Sequence, residues 1–200
     1  MLQIIKLCMV CVVGVSASYA ADDCVPGTHR TGPGIPSPNE RYRILNVQCA
    51  RPSDDRAFVL LGPKKKSRRL LYSYGRDASA VWSPDSSMIA VNDYAGSDYT
   101  ENRVLSADGE RPPIDLKAEL KEHLPPDKLR ELLGNDHVYL SVTKWLSRDD
   151  LQIMAWGHGE VSPGGFCRCY VLSLASKDSR ECPVPHKAGD PEESCEKLKK

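Results

Sequence analysis

From residue 43 onward the chain alternates short apolar runs with turn residues. Residues 43–49 (RILNVQC), 57–61 (AFVLL), 70–74 (LLYSY), 80–82 (AVW) and 88–91 (MIAV) are mostly β-branched, aliphatic or aromatic and are bounded by turn formers, the pattern of strands. Short strands at close spacing predict an antiparallel meander. The rhythm breaks across 115–134: Leu116, Leu120 and Leu124 recur at helical spacing, Pro125 and Pro126 interrupt, and Leu129, Leu132 and Leu133 resume before Gly134. Two short helices in one insertion are predicted, with proline in the first turn of the second and Gly134 as the left-handed residue beyond its end. Strands return at 138–142, 151–156 and 168–173. The expected fold is mainly β, built of antiparallel meander sheets with a short helical insertion and a disulfide-stapled C-terminal region.

The flanks differ in character. Residues 21–40 are crowded with Pro, Gly, Ser and Thr (VPGTHRTGPGIPSPNE), which cannot supply a core, and read as an extended arm pinned near its start by Cys24. Residues 41–182 read as a single β-rich domain, and 183–200 as a polar tail tied by Cys195. Residues 1–20 carry one basic residue, Lys6, then the apolar run LCMVCVVGV, then small residues ending in Ser18 and Ala20: the order of a signal peptide cut after Ala20. No later segment approaches the roughly 18 uninterrupted apolar residues of a membrane span. The chain after Ala20 is therefore expected to be soluble and either periplasmic or secreted.

The most specific local signal is AVWSPDSSMIAVNDY at residues 80–94. A strand ends on Trp82, Ser83 and Pro84 open a tight turn with proline's fixed φ, Asp85 bonds the turn's own amides, and Met88 starts the return strand. Trp82 is expected to cover this hairpin as a packing residue. The segment resembles the TolB-like and peptidase-associated β-propellers, whose blades repeat a Trp-Ser-Pro-Asp-Gly turn before a strand of the form Ile-Ala-Val; here Ile89, Ala90 and Val91 match and Ser86 replaces the glycine. A weaker copy runs from Trp145 to Ala155 (WLSRDDLQIMA): aligning Ser147 and Asp149 with Ser83 and Asp85 brings Ile153 onto Ile89, with Trp145 displaced by one residue as a bulge would do. Residues 102–111 and 170–178 look like strands and turns that close such blades. A closed propeller takes about four to eight blades, and only one or two units are legible, so the resemblance implies blade-like sheets that close differently. It implies binding or scaffolding through exposed loops.

Eight cysteines are present; Cys8 and Cys11 leave with the leader, and Cys24, Cys49, Cys167, Cys169, Cys182 and Cys195 remain. In an exported chain six cysteines read as a disulfide framework. Locality pairs Cys24 with Cys49 and the other four among themselves. Cys167 and Cys169, two apart on a strand, share a face and need separate partners. With 27 basic and 27 acidic side chains the protein is neutral, which argues against a nucleic-acid footprint.

Lys64, Lys65, Lys66, Arg68 and Arg69 form the densest charge run, at an expected hairpin tip, where they suit either an anionic surface or plain solvation of edge strands. The stretch NDYAGSDYTEN at 92–102 is the first choice of ligand loop, with Asp93, Tyr94, Asp98, Tyr99 and Glu101. Its carboxylates are of the type that holds a hard cation, yet turn chemistry explains the same composition. His158, within GHGE, lacks the converging partners that zinc requires and reads as a hairpin loop; His29, His123, His137 and His186 are scattered. No nucleophile elbow, zinc helix, phosphate loop or Cys-x-x-Cys pair occurs after the leader, so no catalytic residue, metal or cofactor is assigned. The expected function is that of an exported, non-catalytic binding or structural module whose partner is a protein or envelope component. The alternative is an envelope hydrolase whose carboxylates, drawn from Asp93, Asp98 and Glu160, converge only in three dimensions. Mass spectrometry of the exported form is expected to find Ala21 at its N-terminus; a retained Met1 in the cytosolic fraction would overturn the leader assignment.

Overall fold

The structure is a computed structural model, and it describes residues 33–48, 56–63 and 67–184. The segment expected to be a leader, Cys24, Cys49, Lys64 to Lys66, and the residues after 184 with Cys195 lie outside the described residues. Three four-stranded antiparallel meander sheets follow one another along the chain. The first holds β1 (Ile35–Pro36), β2 (Arg43–Gln48), β3 (Arg56–Leu61) and β4 (Arg68–Tyr74). The second holds β5 (Ala78–Trp82), β6 (Met88–Asp93), β7 (Glu101–Ser106) and β8 (Ile114–Asp115). The third holds β9 (His137–Trp145), β10 (Asp150–His158), β11 (Phe166–Ser173) and β12 (Asp178–Cys182). Between the second and third sheets stand α1 (Leu116–His123) and α2 (Pro126–Leu133).

The mainly β meander expected from the pattern is the fold observed, and it contains one more sheet than the legible units. The end of the stretch read as an extended arm supplies β1 and the turn after it. That turn repeats the Ser83 turn bond for bond. In the second sheet the Ser83 amide donates to the Met88 carbonyl (2.9 Å), the Met88 amide returns to Ser83 Oγ (2.9 Å), and Ser83 Oγ donates to Asp85 Oδ1 (2.7 Å). In the first sheet the Ser37 amide donates to Tyr42 (3.0 Å), the Tyr42 amide returns to Ser37 Oγ (3.0 Å), and Ser37 Oγ donates to Asn39 Oδ1 (2.8 Å). Ser86 and Glu40 occupy the same left-handed position, at φ +65° and +57°, where the resembled repeat carries glycine. Ser86 keeps its side chain there because its hydroxyl accepts the Asn39 amide (3.1 Å), which docks one turn on the other. The third sheet's turn is shorter: Ser147 Oγ accepts the Asp149 and Asp150 amides (3.2 and 3.0 Å), and the ladder shifts register between Gln152 and Ile153.

Each inner turn tryptophan reaches back to the sheet before it. Trp82 Nε1 donates to the Ile35 carbonyl (3.3 Å) and its ring stacks on Tyr42, while Trp145 Nε1 donates to the Val81 carbonyl (3.0 Å). Ile35 and Val81 each lie two residues before their turn serine, so the two bonds are the same bond repeated. Both indoles are buried, with 8% exposure. Around them the second sheet is buried on both sides. Ile89, Val91 and Leu105 pack on Ile44, Phe58 and Leu60 of the first sheet; Ala90 and Val104 pack with Leu140, Ile153 and Leu172 of the third and Leu116 and Leu120 of α1.

Asp115 caps α1 by accepting the Ala118 amide (3.1 Å), and proline opens α2 as expected. Gly134 corrects one detail, because at φ −96° it is not left-handed. Its glycine identity has a steric cause: a Cβ there would stand 2.6 Å from Val161 Cγ2 and 2.8 Å from the Arg130 carbonyl. Cys169 and Cys182 sit opposite one another on β11 and β12 and form a disulfide, and Cys167 is also disulfide-bonded. Replacing either indole by alanine is expected to cost about 3–5 kcal/mol. Trp145→Phe, which keeps a ring but leaves the Val81 carbonyl without its donor, should cost about 1–3 kcal/mol by denaturant titration. An unchanged midpoint in Trp145→Phe would show that the indole bond does not tie the sheets.

Candidate functional site

Because every sheet is a meander, its connections segregate to two ends. The Ser37, Ser83 and Ser147 turns lie at one, the turn end. The loop 94–100 and the β10–β11 connection lie at the other, the loop end. At the turn end neighbouring connections lock together: Arg148 pairs with Asp85 (3.4 Å), and Arg69 donates to the Ser106 and Ala107 carbonyls (3.0 Å each). Burial pushes the Asp85 carboxyl upward, but bonds from Ser83 and Ser87 outweigh it and hold the group below the usual carboxylate range. Trp82 and Asp85 thus reach the first and third sheets respectively, while Pro84 between them is exposed. Of the basic run, Arg69 is committed to the turn end and Arg68 stands exposed at the start of β4.

The residues proposed as a ligand loop divide into roots and tip. The roots are structural. β9 pairs with β10 along one edge, and the second sheet satisfies the other through side chains and one backbone bridge at Val138. Thr100 Oγ1 accepts the Leu140 amide (2.7 Å), Asn102 Nδ2 donates to the Leu140 carbonyl (3.1 Å), and Asn92 bonds both the amide and the carbonyl of Val142 (2.7 and 3.0 Å). The Val138 amide donates to the Asp98 carbonyl (2.9 Å), and Tyr139 donates its hydroxyl to the Ser97 carbonyl. The tip is Ser97, Asp98 and Tyr99, all exposed, with Tyr99 at 41%. Its ring rests against Gly96, where an added Cβ would stand 2.4 Å away. Tyr94 is half-buried and its amide bonds the Asp77 carbonyl (2.8 Å).

Asp93 is buried between the first two sheets, with Tyr72 donating to its Oδ2 (3.0 Å) and Oδ1 left without a partner. Glu101 is its cross-strand partner and is exposed; Arg103, beside it, pairs with Asp115. Burial, more than the nearby Glu101 charge, raises the Asp93 pKa above the usual carboxylate range despite the Tyr72 bond. Burial first, then the Asp93 charge, raises that of Tyr72, which stays a donor.

His158 is exposed at the end of β10 and stacks on His137, its cross-strand partner, a pairing that no sequence spacing announces. The candidate acids and His158 stand apart from the clefts between elements. One, of about 410 Å³, is lined by Asp127, Lys128, Arg130, Glu131, Val161, Ser162 and Arg168; another, of about 350 Å³, lies between the first two sheets beside Ile35, Phe58 and Ala80. None of Asp93, Asp98, Glu101 or His158 lines either. Among the described residues no three His, Cys, Asp or Glu side chains stand together to share a metal ion, and no helix is long and apolar enough to cross a membrane.

Three repeated meander sheets joined by tryptophan-bearing turns are the blades of a β-propeller-like protein. The β-propeller domain of the Trilobed protease from Pyrococcus furiosus, described as having an open velcro topology, matches over 79% of this chain and 44% of its own, with a TM-score of 0.51 and 14% identity. TolB from Acinetobacter baumannii matches over 74% of this chain and 31% of its own, with a TM-score of 0.46 and 9% identity. An acylaminoacyl peptidase from Pyrococcus horikoshii matches over 71% and 23%, with a TM-score of 0.41 and 13% identity. The chain spans less than half of each of these, and the likeness is one of fold. No protein-family model and no curated protein sequence matches it.

The raised Asp93 carboxyl has a signed consequence. The folded state holds this proton more tightly than the unfolded chain, so the stabilisation is full below the unfolded pKa, about 4, and is lost as pH rises through the folded value. Asp93→Asn, which removes the charge and puts a donor in place of one oxygen, is expected to melt above wild type at neutral pH. The gap should close on acidification. A variant that melts lower at neutral pH would show that the ionised carboxylate stabilises this joint.

Proposed function

We propose that the protein is an exported, non-catalytic binding module that recognises a protein or envelope component through the loop end of its blades. The carrying observation is the loop 94–100, whose roots are bonded into two sheets while Asp98 and Tyr99 stand exposed on a rigid base. Rigid scaffolds presenting loops are where recognition usually resides, and a preorganised tip loses little conformational freedom on binding. Tyr99 offers a large amphipathic contact of the kind enriched at binding hot spots. Export is supported by the leader pattern and by the Cys169–Cys182 disulfide, a bond that persists in oxidising compartments.

The hydrolase alternative has less support. Its acid candidates do not gather: Asp93 is turned into the joint between sheets, Asp98 is at the tip, and Glu160 is exposed on a separate connection. The test is a photo-crosslinking amino acid placed at position 97, exposed beside an intact Tyr99, in the oxidised protein in cell envelopes. A discrete adduct is expected, competed by unlabelled wild type and lost with Asp98→Ala or with Gly96→Ala, which dislodges the Tyr99 ring. Adducts that neither competitor nor variant changes would overturn the assignment of this loop.

A further inference from the structure

The loop end also carries a cluster that the binding loop does not use. His137 opens β9 and His158 closes β10, and the two are directly opposed in the ladder. Their rings are stacked, with centroids 4.5 Å apart and planes 3° from parallel. The backbone beneath them is closely fitted: a Cβ on Gly157 would stand 1.9 Å from the His137 carbonyl oxygen, so only glycine permits this approach. Two residues further along the same face, Tyr139 stacks on Trp156 at 5.7 Å, and the Tyr139 hydroxyl is held by Ser97. The histidines therefore form the outermost rung of a fixed aromatic ladder, on its solvent side, with His158 exposed.

We propose that His137 and His158 are the two protein ligands of a site for a borderline divalent transition ion, of the Zn²⁺ or Cu²⁺ class. Imidazole nitrogen suits such ions, at metal–nitrogen distances of about 2.0–2.1 Å for zinc. With the rings this close, a rotation about χ2 in each can bring one nitrogen of each to a shared point; that torsion is broad for histidine. The strands need not move, since the ladder already holds the two Cα atoms opposite one another. No third His, Cys, Asp or Glu joins them among the described residues, so the remaining coordination positions go to water or to a donor from an incoming molecule. Such an open position is the feature that separates a binding or catalytic metal from a purely structural one. This site stands on its own geometry and does not rest on the loop assignment.

The experiment is titration of the mature, oxidised protein with ZnCl₂ and with CuCl₂, read by calorimetry and, for copper, by electron paramagnetic resonance. One equivalent of Cu²⁺ with hyperfine structure from two nitrogens is expected, and binding should weaken as acid protonates the imidazoles. His158→Phe keeps a stacked ring and should leave the metal-free melting temperature unchanged while lowering affinity by about tenfold or more, since even outer-shell changes cost that much. His137→Phe should do the same. Absence of saturable binding would overturn the proposal. So would full-strength binding in His158→Phe, which would assign the metal to other histidines such as His123.

Discussion

The middle sheet is buried on both faces, and the rest of the structure answers to that constraint. All six residues of β6, MIAVND, are buried, and the first four are apolar on successive positions instead of alternating with polar ones. Such a strand has no solvent face and is stable only if both neighbouring sheets are present. At roughly 25 cal/mol per Å² of apolar surface, loss of either neighbour would expose one half of this core. The repeated indole bonds, from Trp82 to Ile35 and from Trp145 to Val81, set how the neighbours approach. They give direction to a packing force that has none of its own.

The same burial explains why a polar cluster lies inside. Beyond a single backbone bridge at Val138, the outer edge of β9 meets the second sheet without a partner strand, and a dry, unpaired edge is costly. Asn92, Thr100 and Asn102 complete it, each amide or hydroxyl replacing what a fifth strand would have supplied. An amide offers both a donor and an acceptor, so Asn92 alone serves both backbone groups of Val142. A hydrophobic side chain at these positions would fit the core and strand the backbone.

Much of the fold was legible because hairpin chemistry is local. Trp82 to Asp85 announced a blade, and the leucine spacing with Pro125 and Pro126 announced two helices. Three strands of the first sheet are legible at 43–49, 57–61 and 70–74, but its blade turn, Ser37-Pro38-Asn39, is obscured because it is embedded among other prolines and glycines and is preceded by Pro36 where the second sheet has Trp82. Asn39 accepts the same bonds as Asp85, so Ser-Pro followed by Asn or Asp is the signal that would have revealed it. The candidate site was less legible. Composition grouped Asn92 to Asn102 as one polar loop, but strand alternation and register sort it into buried rungs, one inter-sheet carboxyl and an exposed tip. Sequence spacing cannot show the partner of His158, because His137 lies on the other strand of a hairpin whose register is set partly by a bulge.

The bonds that join the loop to the third sheet are stacked in series along β9, at Val138, Leu140 and Val142. A load applied to the tip and directed along the strand meets all three rungs in shear, so they must yield together rather than unzip one after another. A load perpendicular to the strand meets them singly. The loop is therefore mechanically anisotropic, stiff to tugging along the blade and compliant to peeling away from it.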